Sequence, residues 1–236
     1  MNHSKQQGSI RGFTLIELLA VVAIIGLVFG IAVAALPGMT RGSAMRGSTA
    51  ELRSTLSLAR QWAITKREIT HVVFADGSPD YDSSYEYRLA GERAFRGYAV
   101  VGEKSGMVSD WKFLKTGIYF LPDDGDPNIS VPNYSPFKNP FETKGTTGKA
   151  IPFPEPPSTT ELLPAIGFKP TGSLHKMGGS PLEIYIAEGY VTSAVGSGDV
   201  SRGDLRFKPN SGVTGFQISG LTGALRVRVF GEEVTP

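Results

Sequence analysis

Gly12-Phe13-Thr14-Leu15-Ile16-Glu17-Leu18-Leu19 opens an apolar run that continues through Ala20-Val21-Val22-Ala23-Ile24-Ile25 to Leu36. The run holds about 24 residues, and about 20 suffice for a helix to cross the hydrocarbon of a bilayer. One charge interrupts it, Glu17, near its start. A carboxylate at mid-membrane costs about 2.5–3.5 kcal/mol on the insertion scale, so an acid there calls for a partner. No small-x-small pattern follows the run, whereas an ordinary secretory signal has a shorter apolar part and is cut beyond it. Cleavage ahead of the run, after Gly12, leaves the whole apolar helix on the mature chain. The plainer alternative is an uncleaved signal anchor with Glu17 at the level of the headgroups.

Gly12 followed by Phe13-Thr14-Leu15-Ile16-Glu17 resembles the class III signal of type IV prepilins and type II secretion pseudopilins. The resemblance implies cleavage between Gly12 and Phe13 by a prepilin peptidase, then N-methylation of Phe13. It makes Glu17 the fifth residue of the mature chain, facing the Phe13 amine of a neighbouring subunit in a filament. Two opposite charges that are each costly in lipid become tolerable as a pair. The partners implied are the prepilin peptidase and methyltransferase, other pilins or pseudopilins, and the bacterial inner membrane. The expected topology is single-pass, with a cytoplasmic N-terminus and a globular domain that is periplasmic or extracytoplasmic, incorporated into a pilus or pseudopilus.

Lys5 and Arg11 flank the run on its N-terminal side and favour the cytoplasm there, while Arg41, Arg46 and Arg53 on the far side weigh the other way. About 200 residues remain beyond the run, enough for one domain with a real core. The formal net charge is +2, so the field of the whole molecule does not ask for a polyanion. With no cysteine, disulfides, thiol catalysis and thiolate metal sites are excluded. His3, His71 and His175 have no metal-ligand spacing. The 29 glycines and 16 prolines favour a turn-rich β domain.

With the leader and polymerisation helix that the resemblance implies, the chain divides into a leader at 1–12, a transmembrane and polymerisation helix at 13–36, a linker with an amphipathic helix at 37–68, and a β domain at 69–236 with a Pro-rich excursion at 122–164. Gly26 and Gly30 form a small-xxx-small pair that suits helix packing, or are simply glycines of the kind common in membrane helices. Many pilins carry a proline deeper in this helix, near Ala34; here it is Pro37. Pro37-Gly38 with Gly42 and Gly47 predicts a flexible or melted segment. Ser48-Thr49-Ala50-Glu51 fits a capping box that starts a helix to about Lys66. Leu52, Leu56, Ala59 and Ala63 form its apolar stripe.

Strands are expected at Ile69–Phe74, Tyr85–Leu89, Gly97–Val101, Trp111–Phe113 and Ile118–Leu121, at hairpin spacing and therefore antiparallel. About ten of the sixteen prolines fall between Pro122 and Pro164, which predicts a long surface excursion, not core strands. Within it, Asp123-Asp124-Gly125-Asp126-Pro127-Asn128 offers oxygen ligands but lacks the distal Glu and the glycine spacing of a calcium loop. It reads as a solvated acidic turn, so no metal and no other cofactor is expected. Order returns at Ala165–Gly172, where Phe168-Lys169-Pro170-Thr171-Gly172 is a strand entering a Pro-x-Gly turn. Leu182–Ile186, Leu205–Phe207, Phe216–Ile218 and Leu225–Val229 follow as strands. Phe-x-Pro-x-Gly, an Ile-rich strand and Thr222-Gly223 before a Val-rich last strand resemble the minor pseudopilins of the GspH/FimT type. The fold implied is α+β: a long N-terminal pilin helix, transmembrane then amphipathic, packed on an antiparallel sheet or sandwich.

No nucleophile elbow, P-loop or dinucleotide fingerprint is present, and the carboxylates are dispersed, so no catalytic residues are expected. Arg226 and Arg228 alternate with Val227 and Val229 and share one strand face, which Arg202, Arg206 and Lys208 are placed to extend. Some relatives bind DNA through arginines near this strand in a Gly-Arg-x-Arg arrangement. Here Gly223-Ala224-Leu225-Arg226 displaces the pair, and a solvated outer face explains it as well. The first expectation is a structural minor pilin or pseudopilin with an initiation or tip role. The alternative is a pilus-associated module that binds DNA or a secreted substrate through Arg226 and Arg228. A membrane-anchored enzyme comes third.

Overall fold

Leu52, Leu56, Ala59 and Ala63 recur on one helical face, and all four are buried. They belong to α1 (Leu15–Lys66), the only long helix among the residues that the structure, a computed structural model, describes. Those residues are 15–77, 93–122, 139–153, 160–192, 204–208 and 212–230, with the side chains of 28–41 excepted. The expected strand at Tyr85–Leu89 and the Asp123–Asn128 turn lie outside them. The chain divides into two units, Met1–Ser43 and Ala44–Pro236.

Two expectations for α1 are corrected. Residues 37–47 are helical, where Pro37-Gly38 predicted a melted linker. An internal proline removes one hydrogen bond and costs about 3 kcal/mol, a local defect that helix propagation on both sides can carry. Nor does Ser48 start a helix. It lies inside α1, fully buried, and its hydroxyl accepts the Lys115 backbone N–H at 2.9 Å. Glu51 reaches the Lys115 ammonium at 3.5 Å. The apparent capping box is a clasp for a loop of the β domain. The helix ends at Lys66, and Arg67 takes the left-handed conformation (φ 52°) that commonly closes helices.

The β domain is antiparallel in every described pairing. The first sheet has the order β3 (Gly106–Met107), β2 (Gly97–Gly102), β1 (Thr70–Phe74), β8 (Ala165–Phe168), with β4 (Lys112–Phe113) also on β2. The second runs β10 (Leu205–Phe207), β9 (Leu182–Val191), β11 (Val213–Ile218), β12 (Leu225–Phe230), with β5 (Ile118–Leu121) also on β9. The main core joins the α1 stripe to Val72, Phe74, Tyr98, Ile166 and Phe168 of the first sheet and Phe120, Ile184 and Phe216 of the second. The molecule is thus α+β, an N-terminal helix followed by antiparallel sheets.

The proline-rich excursion contains more order than its composition suggests. A short helix, α2 (Lys144–Thr147), precedes a hairpin of β6 (Lys149–Pro152) and β7 (Thr160–Leu163). Ile151, Phe153 and Leu163 bury themselves against Val73, Ala99, Val101 and Ala165, a second core on the other face of the first sheet. Asn139 ties the excursion back by donating to the Leu121 carbonyl at 2.9 Å. Covered on both faces, β1 and β2 are buried along their whole length and show no polar alternation.

Candidate assembly helix and basic strand face

In the expected membrane segment the backbone is helical over 15–36, and the described side chains are those of 15–27. Among the described residues no helix is long and apolar enough to cross a membrane. The large hydrophobic side chains of this stretch are exposed on every side of the helix, from 49% at Val21 and Ile25 to 84% at Leu15. A helix that is apolar all round is ordinarily buried, in lipid or among other helices. Glu17 stands in its first turn, solvent-exposed, where the helix dipole favours a negative charge. Gly12 and Phe13 lie outside the described residues.

The C-terminal motifs that the sequence separates are brought together. Gly172 closes the Lys169-Pro170-Thr171-Gly172 turn with its N–H on the Lys169 carbonyl at 2.8 Å. The Arg60 Nε of α1 donates to the Gly172 carbonyl at 3.2 Å and to that of Thr222 at 3.1 Å. Gly172 and Gly223 both have positive φ, and a Cβ at Gly223 would stand 1.9 Å from the Gly172 oxygen. Only glycine fits at Gly223, so the two turns meet there beneath one arginine of the helix.

Arg226 and Arg228 share a face of β12 and are exposed, as alternation predicts. The wider basic face is not assembled. Arg228 registers through Gly215 with Tyr185 of β9, whereas Arg206 registers with Tyr190, an odd number of residues away and hence on the opposite face. Lys208 is engaged in an ion pair with Glu188, and Arg202 lies outside the described residues. The cause is the register in which β10 and β11 pair with β9, which no local sequence pattern encodes.

Among the buried ionisable groups, Glu68 and His71 are not marked as sites by the sequence. Glu68, just past the end of α1, accepts the Trp62 indole N–H at 2.9 Å, the Lys104 N–H at 2.7 Å, the Ser105 N–H at 3.0 Å and the Ser105 hydroxyl. The Ser105 hydroxyl above all, with the other donors and against the cost of burial, holds its carboxyl down at about 2. An acid at a helix C-terminus, against the dipole, was the available signal. His71 of β1 is buried, 3.7 Å from Glu103, and among the described residues neither ring nitrogen is hydrogen-bonded. Its ring meets that of His175 edge-on, 5.9 Å between centroids. Burial, and then the Lys149 charge, push it down to about 4 against the opposing pull of Glu103. Among the described residues no group of three or more acids and histidines is arranged to hold a metal.

Compared with known proteins, no curated protein and no solved structure matches the chain. Residues 8–33 match the prokaryotic N-terminal methylation motif. That span contains Gly12, Phe13 and Glu17. The chain carries the class III prepilin-type N-terminal segment of the pilins and pseudopilins, structural subunits that a prepilin peptidase processes and that assemble with one another.

Proposed function

We propose that the protein is a minor pilin or pseudopilin of the GspH/FimT type, cleaved after Gly12 and N-methylated on Phe13. The observation that carries this reading is the methylation motif at 8–33 together with a helical stretch, 15–27, whose large apolar side chains are exposed all round. In the membrane, residues 13–36 are held in a single pass of the inner membrane, with the β domain outside the cytoplasm. In the filament, the same helices bundle, and the Glu17 carboxylate meets the Phe13 amine of a neighbour. The β domain is displayed outward at the initiating tip of a type II secretion pseudopilus or a type IV pilus. Its work is assembly, and no reaction is catalysed. The junction of Gly172 and Gly223 over Arg60 supports the subtype, since it uses both C-terminal pieces of the resemblance.

The second reading, capture of DNA by Arg226 and Arg228, draws on their exposure. It is weakened by the position of Arg206 on the other face, which leaves two cations for a backbone that is normally gripped by many. The primary reading is tested with a Glu17→Ala chain in a host that expresses the peptidase. The variant is expected to be cleaved normally and lost from sheared filaments; wild-type incorporation of the uncharged variant contradicts the charge pairing.

A further inference from the structure

We propose that β12 is a docking edge, to which an extended acidic segment of a partner protein adds as the next strand. Among the described residues β12 closes its sheet and pairs on one side only, with β11. The Ser219 N–H donates to the Ala224 carbonyl at 2.9 Å, continuing that register. In an antiparallel ladder this fixes the alternation. Arg226, Arg228 and Phe230 turn their peptide groups toward β11, and Leu225, Val227 and Val229 turn theirs outward. Three N–H groups and three carbonyls therefore stand in a row at the strand spacing that β-augmentation uses.

The side chains say what kind of strand fits. Arg226 and Arg228 are exposed on one face, and among the described residues neither side chain makes an ion pair or a hydrogen bond. Carboxylates at alternate positions of an added strand would lie beside them. On the other face Val229 is 63% exposed, an apolar surface for the alternate residues of the same strand. At the start of β12 an open groove of about 500 Å³, lined by Pro181, Gln217, Ser219, Leu221, Leu225 and Arg226, receives a terminal side chain. A nucleic acid would use the arginines but leave Val229, Leu221 and the backbone row unused, so a protein strand accounts for more of the surface. Natural edges often carry charges merely to prevent pairing, and the test separates that role from docking.

The full-length chain in detergent micelles is offered two synthetic extended peptides, one alternating valine with glutamate and one alternating valine with lysine, and separately a DNA oligonucleotide. Amide hydrogen exchange is followed by NMR. The glutamate peptide is expected to slow exchange at Leu225, Val227 and Val229. Arg226→Glu with Arg228→Glu is expected to weaken that peptide at least tenfold and to bring on binding of the lysine peptide. Because both positions are exposed, the reversed chain keeps its fold, which its far-ultraviolet circular dichroism checks. Val227→Pro, which removes a central outward N–H, is expected to abolish protection in either background. Failure of both peptides to slow exchange overturns the proposal and leaves the arginines as guards of the edge. Binding blind to the charge reversal, or protection by the oligonucleotide alone, overturns it also.

Discussion

Glu68 fastens the end of the long helix to the turn between β2 and β3 through one carboxylate and four donors. Because its folded pKa, about 2, lies below the ordinary 4.5, its contribution is whole above pH 4.5 and is lost as pH falls toward 2. Glu68→Gln keeps the shape and removes the charge; by the worth of charge-assisted hydrogen bonds it should destabilise by about 1.5–3 kcal/mol near neutral pH, read by urea unfolding. His71 acts earlier in an acid titration. Its value falls from 6.5 to about 4 on folding, so the unfolded chain takes the proton first. Stability is complete above pH 6.5 and declines as pH falls from 6.5 to about 4. The titratable groups that act on it are Lys149, Glu103 and His175. Melting temperature against pH should therefore bend near 6.5, and His71→Gln should reduce that bend. An unchanged profile in the variant removes His71 as its cause.

At the scale of the element, the helix is the most readable part of the chain. Leu56 is buried to 2% while Leu58 is 39% exposed. Leu56→Ala should cost about 2–5 kcal/mol, and Leu58→Ala within about 0.5 kcal/mol; equal losses in denaturant titration would mean that the stripe does not face the core. That stripe was legible because helical periodicity is local. Ser48 and Glu51 imitate a capping box because their partner, Lys115, is 67 residues from Ser48 in sequence. Proline content concealed the β6–β7 hairpin, whose contribution to the core comes from isolated apolar residues, Ile151, Phe153 and Leu163. Strand alternation placed Arg226 and Arg228 together correctly. It could not show that Arg206 lies on the opposite face, which depends on how β9 pairs with β10. The cluster around Glu68 is not legible locally, because three of its four donors lie on a turn more than thirty residues away.

For the molecule as a whole, a methylation motif at 8–33 and a helix of exposed apolar side chains describe a subunit that is incomplete alone. The β domain supplies its own core, whereas the N-terminal helix must find lipid or its like to cover it. On the proposed reading, cleavage on the N-terminal side of the apolar run retains that helix for membrane and filament alike. The most direct measurement is mass spectrometry of the N-terminus of protein purified from its native host, with and without an active prepilin peptidase. The expected mature chain starts at N-methylated Phe13 and reverts to the uncleaved leader when the peptidase is inactive. A chain starting beyond Leu36, or an unprocessed Met1 in the presence of active peptidase, would contradict assembly through this helix.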